Sequence, residues 1–281
     1  MIKTFSDRTC AFDCEWVPCT DTARRLLNLP RECSDRAAME AIWKFYSEKD
    51  ALRYGKEPKP EERPFLKYIL SKVVTIAAVV RSVDKAGAIH LELYSRRVDQ
   101  SGEGPLIAGF LERVAKSQWQ LWGFNSAGAD VPLLKQRAIA LGVPCPLFSR
   151  RPNKPWEGMD YHDARNSDAH MDILDILGGF SGAAKPSLNE LAVACGIPGK
   201  LDVAGDDVAE MYLEGRIGDI AEYNETDAVT THLVMLRIGL HTGFLTPQAY
   251  QHEVDAAQAL VREQIAIGKV PFAKFLQVWQ P

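Results

Sequence analysis

The sequence predicts an α/β fold in which a mixed β-sheet is flanked by α-helices and the second half of the chain is largely helical. Three observations support this prediction: a strand-like apolar segment opens the chain, two more strand-like segments follow as a hairpin, and helical and strand-like patterns alternate after them. Hairpin strands pair antiparallel, whereas strands joined through a helix usually pair in parallel, so a sheet that contains both is mixed.

The predicted strands are runs of β-branched and apolar residues bounded by turn residues. They lie at 8–17, 71–83, 88–96 and 119–125. The short sequence DKAG joins the second strand to the third and is typical of a hairpin turn.

The predicted helices are segments in which apolar residues recur every three or four positions. They lie at 35–52, 104–117, 130–142, 171–180, 187–196, 206–215, 217–240 and 247–268. Gly142 and Pro144 end the helix that begins at residue 130, and His170 and Asp172 are interpreted as the opening of the next helix.

The size and composition are those of a globular protein. The chain has 281 residues, of which 46% are hydrophobic and 25% charged, enough to bury a sizeable core. Because no change in composition divides the chain, we expect one domain over 1–281, with a long insertion at about 18–70 and a helical extension at about 246–281. The first residues lack a leader-like pattern and the apolar run at 73–80 is too short to cross a bilayer, so we expect no membrane contact and a cytoplasmic location.

Charge and cysteine content argue against two kinds of protein. A net charge of −4 does not suit a protein that grips a long duplex through positive charge, although it is compatible with a nuclease whose acidic site binds metal ions. The six cysteines include no CxxC pair, so we expect reduced and mostly packed thiols rather than a zinc site.

Two long segments interrupt the predicted elements. One spans 18–70 and contains a predicted helix followed by a Pro- and charge-rich stretch at 55–64; the other, at 143–169, is Pro-rich and basic. Segments of this length are either surface additions or the walls of a functional cleft, and the sequence leaves both alternatives open.

The first strand carries a pair of acids. Asp13 and Glu15 are two residues apart, so their side chains share one face of the strand. Two carboxylates side by side repel each other unless a cation lies between them. Cys14 is expected to point to the opposite face and pack there.

Further acids occur downstream at element boundaries and on a late helix. Asp130 follows a predicted strand at the start of a helix, with Asn125 five residues before it; taken alone, it is better explained as a helix cap. Tyr223 and Asp227 are four residues apart in a predicted helix and therefore share a face.

The order and spacing of these residues resemble the DEDD superfamily of 3′–5′ exonucleases, which has the ribonuclease H-like fold. The first motif is Asp13 with Glu15, the second is Asp130, and the third is Tyr223 with Asp227. A Tyr four residues before the last Asp is typical of the Tyr variant of the superfamily.

Three longer segments resemble the predicted exonuclease family related to the proofreading domain of family-B DNA polymerases; they lie at 123–138, 170–200 and 206–237. The resemblance covers 8–17 and roughly 71–245, and the insertion and the C-terminal helix are less diagnostic. One departure is Ala129, where the polymerase motif usually carries Phe; it removes an aromatic ring and no ligand.

The resemblance implies two divalent metal ions, Mg²⁺ or Mn²⁺, held by the four carboxylates. Asp13 would bridge both ions, Glu15 and Asp227 would complete the site that activates water, and Asp130 would help hold the second ion, partly through water. Tyr223 would orient the attacking water. Because a phenol with a pKa near 10 is a poor base at neutral pH, activation of the water is assigned to the metal and not to Tyr223.

The expected activity is 3′–5′ hydrolysis of single-stranded or frayed DNA, with release of nucleoside 5′-monophosphates. The same chemistry on RNA remains an alternative, and so does a non-cleaving module that binds nucleic acid or a partner. No polymerase motif follows residue 245, so we expect any polymerase or repair partner to be a separate chain; the oligomeric state is left open.

Several other residues are candidates for contact with the nucleic acid. Trp16 and Asn125 are predicted to face the terminal nucleotide, with core packing an equal alternative for Trp16. Basic residues that are either phosphate contacts or solvated charges are Lys135, Arg137, Arg150, Arg151 and Lys154. Asp172 is interpreted as a capping or packing residue and His232 as structural.

Overall fold

The computed structural model describes residues 2–55, 57, 63–154, 157–163, 167–179, 185–199 and 207–279. Strands within this part of the chain are β1 (Arg8–Pro18), β2 (Ser71–Val83), β3 (Ile89–Arg97), β4 (Gln120–Gly123) and β5 (His170–Asp172). They form one sheet in the order β3-β2-β1-β4-β5.

The sheet is mixed, as predicted. β2 pairs antiparallel with both β1 and β3, whereas β4 pairs in parallel with β1 and β5. Together with the helices on both faces, this confirms the predicted ribonuclease H-like α/β fold. The parallel pairing brings the carboxyl ends of β1, β4 and β5 to the same edge of the sheet, where ligand sites of open α/β sheets commonly lie.

Helices cover both faces of the sheet. Those in the described residues are α1 (Thr20–Leu27), α2 (Asp35–Tyr54), α3 (Val98–Ser101), α4 (Glu103–Ser117), α5 (Asp130–Ala140), α6 (Pro146–Ser149), α7 (Ile173–Gly178), α8 (Leu188–Ala194), α9 (Val208–Leu213), α10 (Ile217–His241), α11 (Pro247–Ala266) and α12 (Val270–Val278). No described helix is long and apolar enough to cross a membrane.

Alternation along β1 divides the core into two layers. Cys10, Phe12 and Cys14 are buried in the cluster that includes apolar residues of α4 and α5. Ala11 is buried in the cluster on the other face, which includes residues of α10, α11 and α12. Cys14 therefore packs on the face opposite Asp13, as its position in the strand predicts.

One prediction about the sheet was wrong. His170 and Asp172 do not open a helix; they form the three-residue strand β5, and the helix α7 begins only at Ile173. Three buried residues are too few to show a strand period, and the apolar residues that follow have helical spacing. The Asp172 carboxylate accepts hydrogen bonds from the backbone N–H groups of Leu174 and Asp175, so its predicted capping role is confirmed.

The insertion between β1 and β2 has a small apolar cluster of its own. It contains the predicted helix α2 and also α1, which the sequence did not indicate, and these pack around a small apolar cluster that includes Ala23, Ile42 and Leu70. The backbone N–H of Cys19 donates to the carbonyl of Leu70 at 2.8 Å, so the two ends of the insertion meet. Predicted segments also include residues 56, 58–62, 180 and 206, which lie outside the described residues.

Candidate active site

Three of the predicted carboxylates lie together at the sheet surface. One oxygen from each of Asp13, Glu15 and Asp227 lies within 4.8 Å of the others, and all three residues are half-buried. Residues from the first strand and from a late helix thus share one acidic pocket.

The local structure explains how these side chains meet. Asp13 and Glu15 alternate with buried neighbours along β1, so both face α10, which packs across β1 and β2. The register between β1 and β2 shifts between Glu15 and Trp16, which marks a bulge directly after the acidic pair. Bulges often occur beside functional sites, where they redirect a side chain.

Asn224, which the sequence did not single out, supports Asp13. Its Nδ2 donates a hydrogen bond of 2.7 Å to Oδ2 of Asp13, and its Oδ1 accepts one of 3.3 Å from Oγ1 of Thr75. Asn224 and Thr75 are both fully buried. The only sequence signal for Asn224 is its place next to Tyr223 in the third motif.

Asp130 lies near the pocket but outside the group of three. Its side chain is 4% exposed, and Oδ1 accepts a hydrogen bond of 3.2 Å from the backbone N–H of Cys14. The N-cap of α5 is Ala129, so Asp130 is the first helical residue and its carboxylate bonds to β1 instead of capping the helix. This bond ties the second motif to the strand that carries the first.

Electrostatics disfavour the ionised pocket when no cation is present. Burial raises the pKa of Asp13 well above its usual value, and the charges of Asp130, Glu15 and Asp227 raise it further, while the hydrogen bond from Asn224 opposes them. Burial also raises the pKa of Asp130 to about 7, although hydrogen bonds from backbone N–H groups lower it. Such mutual repulsion is what a bound cation relieves.

Tyr223 is a neutral hydrogen-bonding group beside Asp227. Burial raises its pKa, and so do the charges of Asp227, Glu15 and Asp13 together with a hydrogen bond to Asp227. A phenol in such surroundings stays protonated at neutral pH, which agrees with the prediction that Tyr223 does not act as the base.

The donor set fits a divalent metal ion. Mg²⁺, Mn²⁺ and Ca²⁺ prefer oxygen ligands at roughly 2.0–2.6 Å, so ligands on opposite sides of one ion are about 4–5 Å apart. Three carboxylate oxygens within 4.8 Å of one another can therefore contact a single ion. Asp130 is not one of these three, but it lies close enough to Asp13 for its charge to raise the pKa of Asp13.

The two residues predicted to touch substrate lie close to the acids in sequence, next to Glu15 and five residues before Asp130. Trp16 follows Glu15 and is partly buried against the core, where its ring contacts Tyr68 edge-on. Asn125 is exposed in the loop between β4 and α5, with a left-handed φ of 58°, and its backbone N–H donates to Asp172 at 3.0 Å. Their contact with nucleic acid stays a prediction.

The basic residues predicted as phosphate contacts or solvated charges differ in their surroundings. Arg137 is 3% exposed and forms two hydrogen bonds with the Glu103 carboxylate, at 2.8 and 2.7 Å, so that prediction is wrong for Arg137. Arg151 is exposed, pairs with Asp160 and lines a cavity at the opposite edge of the sheet, before β1 and β4, so the alternative of a solvated surface charge fits it. For Lys135, Arg150 and Lys154 the contact stays a prediction.

His170 and His232 are interior residues. The ring of His170 hydrogen-bonds to Ser126 at 2.8 Å, and burial lowers the pKa of His170 to about 4. His232 is fully buried on α10 and burial lowers its pKa to about 3, which agrees with the structural role predicted for it.

Comparison with known sequences gives one family. A family model described as a predicted 3′–5′ exonuclease related to the exonuclease domain of PolB matches residues 63–279. The match includes Asp130, Tyr223 and Asp227 and begins near the end of the insertion, so it does not reach Asp13 and Glu15; the structure places that pair beside Asp227. No curated protein matches the chain significantly.

One solved structure similar to this chain is that of a family B DNA polymerase from the hyperthermophilic archaeon Pyrobaculum calidifontis. The similarity has a TM-score of 0.45 and 16% sequence identity, over 82% of this chain and 25% of the polymerase chain. This chain therefore matches only about a quarter of the length of that polymerase.

Proposed function

Because the chain belongs to the family of predicted 3′–5′ exonucleases related to the exonuclease domain of PolB, we propose that it is a metal-dependent 3′–5′ exonuclease. Its substrate would be the 3′ end of single-stranded or frayed DNA, and its products nucleoside 5′-monophosphates. The observation that carries the proposal is the convergence of Asp13, Glu15 and Asp227, which are up to 214 residues apart in the chain, within 4.8 Å of one another.

The carboxylates would hold two divalent ions, Mg²⁺ or Mn²⁺. Asp13, Glu15 and Asp227 would bind one ion, and Asp13 with Asp130 would bind the other. When bound, such ions lower the pKa of water and stabilise negative charge on the leaving oxygen of a phosphodiester. The raised pKa of Asp13 supports this role. Burial and the charges of Asp130, Glu15 and Asp227 disfavour the ionised form of Asp13, and a bound cation would favour it.

Tyr223 would orient the attacking water. Its hydrogen bond to Asp227 holds the phenol at the pocket, and its raised pKa keeps the O–H group in place across the neutral range. Asn224 would hold Asp13 in its binding orientation through the 2.7 Å hydrogen bond. Both contributions are positional, so they should change the rate more than the fold.

The remaining parts of the proposal concern substrate and context. Trp16, which follows Glu15, and Asn125, in the loop before Asp130, would contact the terminal nucleotide. We also propose that 1–281 works as one domain, with the described part of the insertion packed beside the site. A polymerase or repair protein would be a partner of this chain, a proposal supported by the family's relation to PolB.

A strand-shortening assay tests the proposal. The purified chain with Mg²⁺ or Mn²⁺ should shorten a 5′-labelled single strand from its 3′ end, EDTA should stop the reaction, and DNA should be cut faster than a matched RNA. Faster cleavage of RNA would reassign the substrate and keep the chemistry. No shortening of either strand with either metal would contradict the proposed enzyme.

A further inference from the structure

The insertion forms an aromatic cleft beside the candidate active site. We use this name for the surface made by Trp16 at the end of β1 and by Trp43, Arg63, Phe65 and Tyr68 of the insertion. The cleft encloses about 470 Å³, and Trp16, Trp43, Arg63 and Phe65 all line it. Single-stranded nucleic acids are commonly held on such aromatic surfaces.

The aromatic cleft lies near the candidate active site, since burial and the charge of Asp130 together raise the pKa of Tyr68. Trp16 directly follows Glu15, and its ring centroid is 6.1 Å from that of Tyr68. The Tyr68 hydroxyl donates a hydrogen bond of 2.7 Å to the carbonyl of Gly128, two residues before Asp130. Tyr68 therefore bridges the strand of the first motif and the loop of the second.

Phe65 is the exposed end of this aromatic row. It is 71% exposed, and its ring meets that of Tyr68 edge-on, with centroids 5.5 Å apart and an interplanar angle of 87°. An edge-on contact occupies at most one face of the Phe65 ring, so at least one face of this ring stays open to solvent. A planar base that covers this face would remove apolar surface from water.

Arg63 supplies positive charge in the aromatic cleft. Its guanidinium lies 4.7 Å from the centroid of the Trp43 ring and, at 47% side-chain exposure, forms a loose ion pair of 3.6 Å with Glu210. A guanidinium that stacks on an indole and remains exposed can also meet a phosphate. Although Asp207 also lines the cleft, the rings and the exposed guanidinium together suit a nucleotide better than an apolar peptide.

We propose that the aromatic cleft binds nucleobases of the single-stranded substrate next to the cleaved end, by stacking on Phe65 and its aromatic neighbours. This inference rests on the proposed function for its substrate class. It assigns the insertion between β1 and β2 a role in holding the strand without regard to base sequence.

Binding of a short oligodeoxythymidylate tests this proposal without cleavage. A 5′-fluorescein-labelled strand is titrated with protein in EDTA or Ca²⁺, and anisotropy reports the affinity. Phe65→Ala should weaken binding by roughly 5- to 100-fold, the range that the loss of one stacked base gives. Phe65→Trp should restore binding, whereas Phe65→Leu, which keeps apolar area without a ring, should not.

Phe244→Ala is the matched control. Phe244 is 45% exposed in the turn after α10, and the rise of that helix puts its last residue, His241, about 27 Å from Tyr223. Circular dichroism and thermal melting should show that the Phe65 variants stay folded. With Mg²⁺ or Mn²⁺, Phe65→Ala should raise KM for the strand by a larger factor than it lowers kcat.

The outcomes separate this inference from the proposed function. A wild-type protein that cuts DNA while Phe65→Ala and Phe244→Ala bind it equally well would overturn the inference alone. Binding that depends on Phe65 in a protein that cuts nothing would keep the cleft and overturn the exonuclease. A wild-type protein that neither binds nor cuts the strand would overturn both.

Discussion

The side-chain amide of Asn224 donates a hydrogen bond of 2.7 Å from Nδ2 to Oδ2 of Asp13. Thr75 donates to the other end of the same amide at 3.3 Å, so the donor is directed at the carboxylate. Partners that orient a metal-binding carboxylate commonly contribute as much to metal affinity as some ligands do.

Replacement of Asn224 should therefore weaken metal binding. We expect Asn224→Ala to lower Mn²⁺ affinity by about 10- to 100-fold, because Asp13 loses the group that fixes its orientation. Isothermal titration of the protein with Mn²⁺ measures this directly. Asn153→Ala, at an exposed asparagine, is the control; equal affinity in both variants would remove Asn224 from the site.

Glu15→Gln should stabilise the metal-free protein, whereas most single substitutions destabilise a protein. Without metal it removes one of the charges that repel Asp13, so the melting temperature should rise by about 2–4 °C per kcal/mol of relief. With Mn²⁺ the wild type should gain stability and Glu15→Gln should gain much less. Melting curves in EDTA and in Mn²⁺ test both halves, with the exposed Glu263→Gln as control. A variant that loses stability in EDTA would contradict the repulsion.

Tyr223→Phe should slow cleavage by roughly 10-fold or more and lower Mn²⁺ affinity by a smaller factor, because the lost hydroxyl orients the water and also bonds to Asp227. The raised pKa of Tyr223 keeps the phenol protonated throughout the neutral range. The pH–rate profiles of wild type and variant should therefore have the same shape between about pH 6 and 9. A limb of the profile that disappears in the variant would show that Tyr223 titrates during turnover.

Ionisation of the Asp130 carboxyl should make the metal-free protein less stable as pH rises. Its pKa is about 7 in the fold, against an ordinary value of 3.8, so between these values the folded state holds a proton that the unfolded chain releases. Its contribution is thus fully present below pH 3.8 and is lost as pH rises through about 7. Asp130→Asn mimics the protonated form and should melt above wild type near pH 8 in EDTA, with a difference that shrinks towards roughly pH 5. A difference independent of pH would show that Asp130 is not the titrating group.

Short-range patterns were sufficient to predict much of the fold and the acids of the site. Alternation along β1 predicted that Asp13 and Glu15 share a face, and the four-residue spacing predicted the same for Tyr223 and Asp227 on α10. These are properties of a single element, so they depend little on the rest of the molecule.

Features that depend on packing between distant segments could not be predicted in this way. β5 is only three residues long, and the residues directly after it have helical spacing. Arg137 pairs with Glu103, and the bond from Asn224 to Asp13 joins residues 211 positions apart. The aromatic cleft likewise exists only because the insertion folds back onto the end of β1.

The most direct test of the account compares wild type with Asp227→Asn on one DNA strand labelled at either end. With Mg²⁺ or Mn²⁺ and a 5′ label, the wild type should give a ladder that shortens one nucleotide at a time; with a 3′ label, the first labelled product should be a mononucleotide. Asp227→Asn should fold normally and cut about 10³-fold more slowly or worse, whereas the exposed Asp255→Asn should match wild type. Internal cuts, release from the 5′ end, or near-normal turnover in Asp227→Asn would contradict the proposed site.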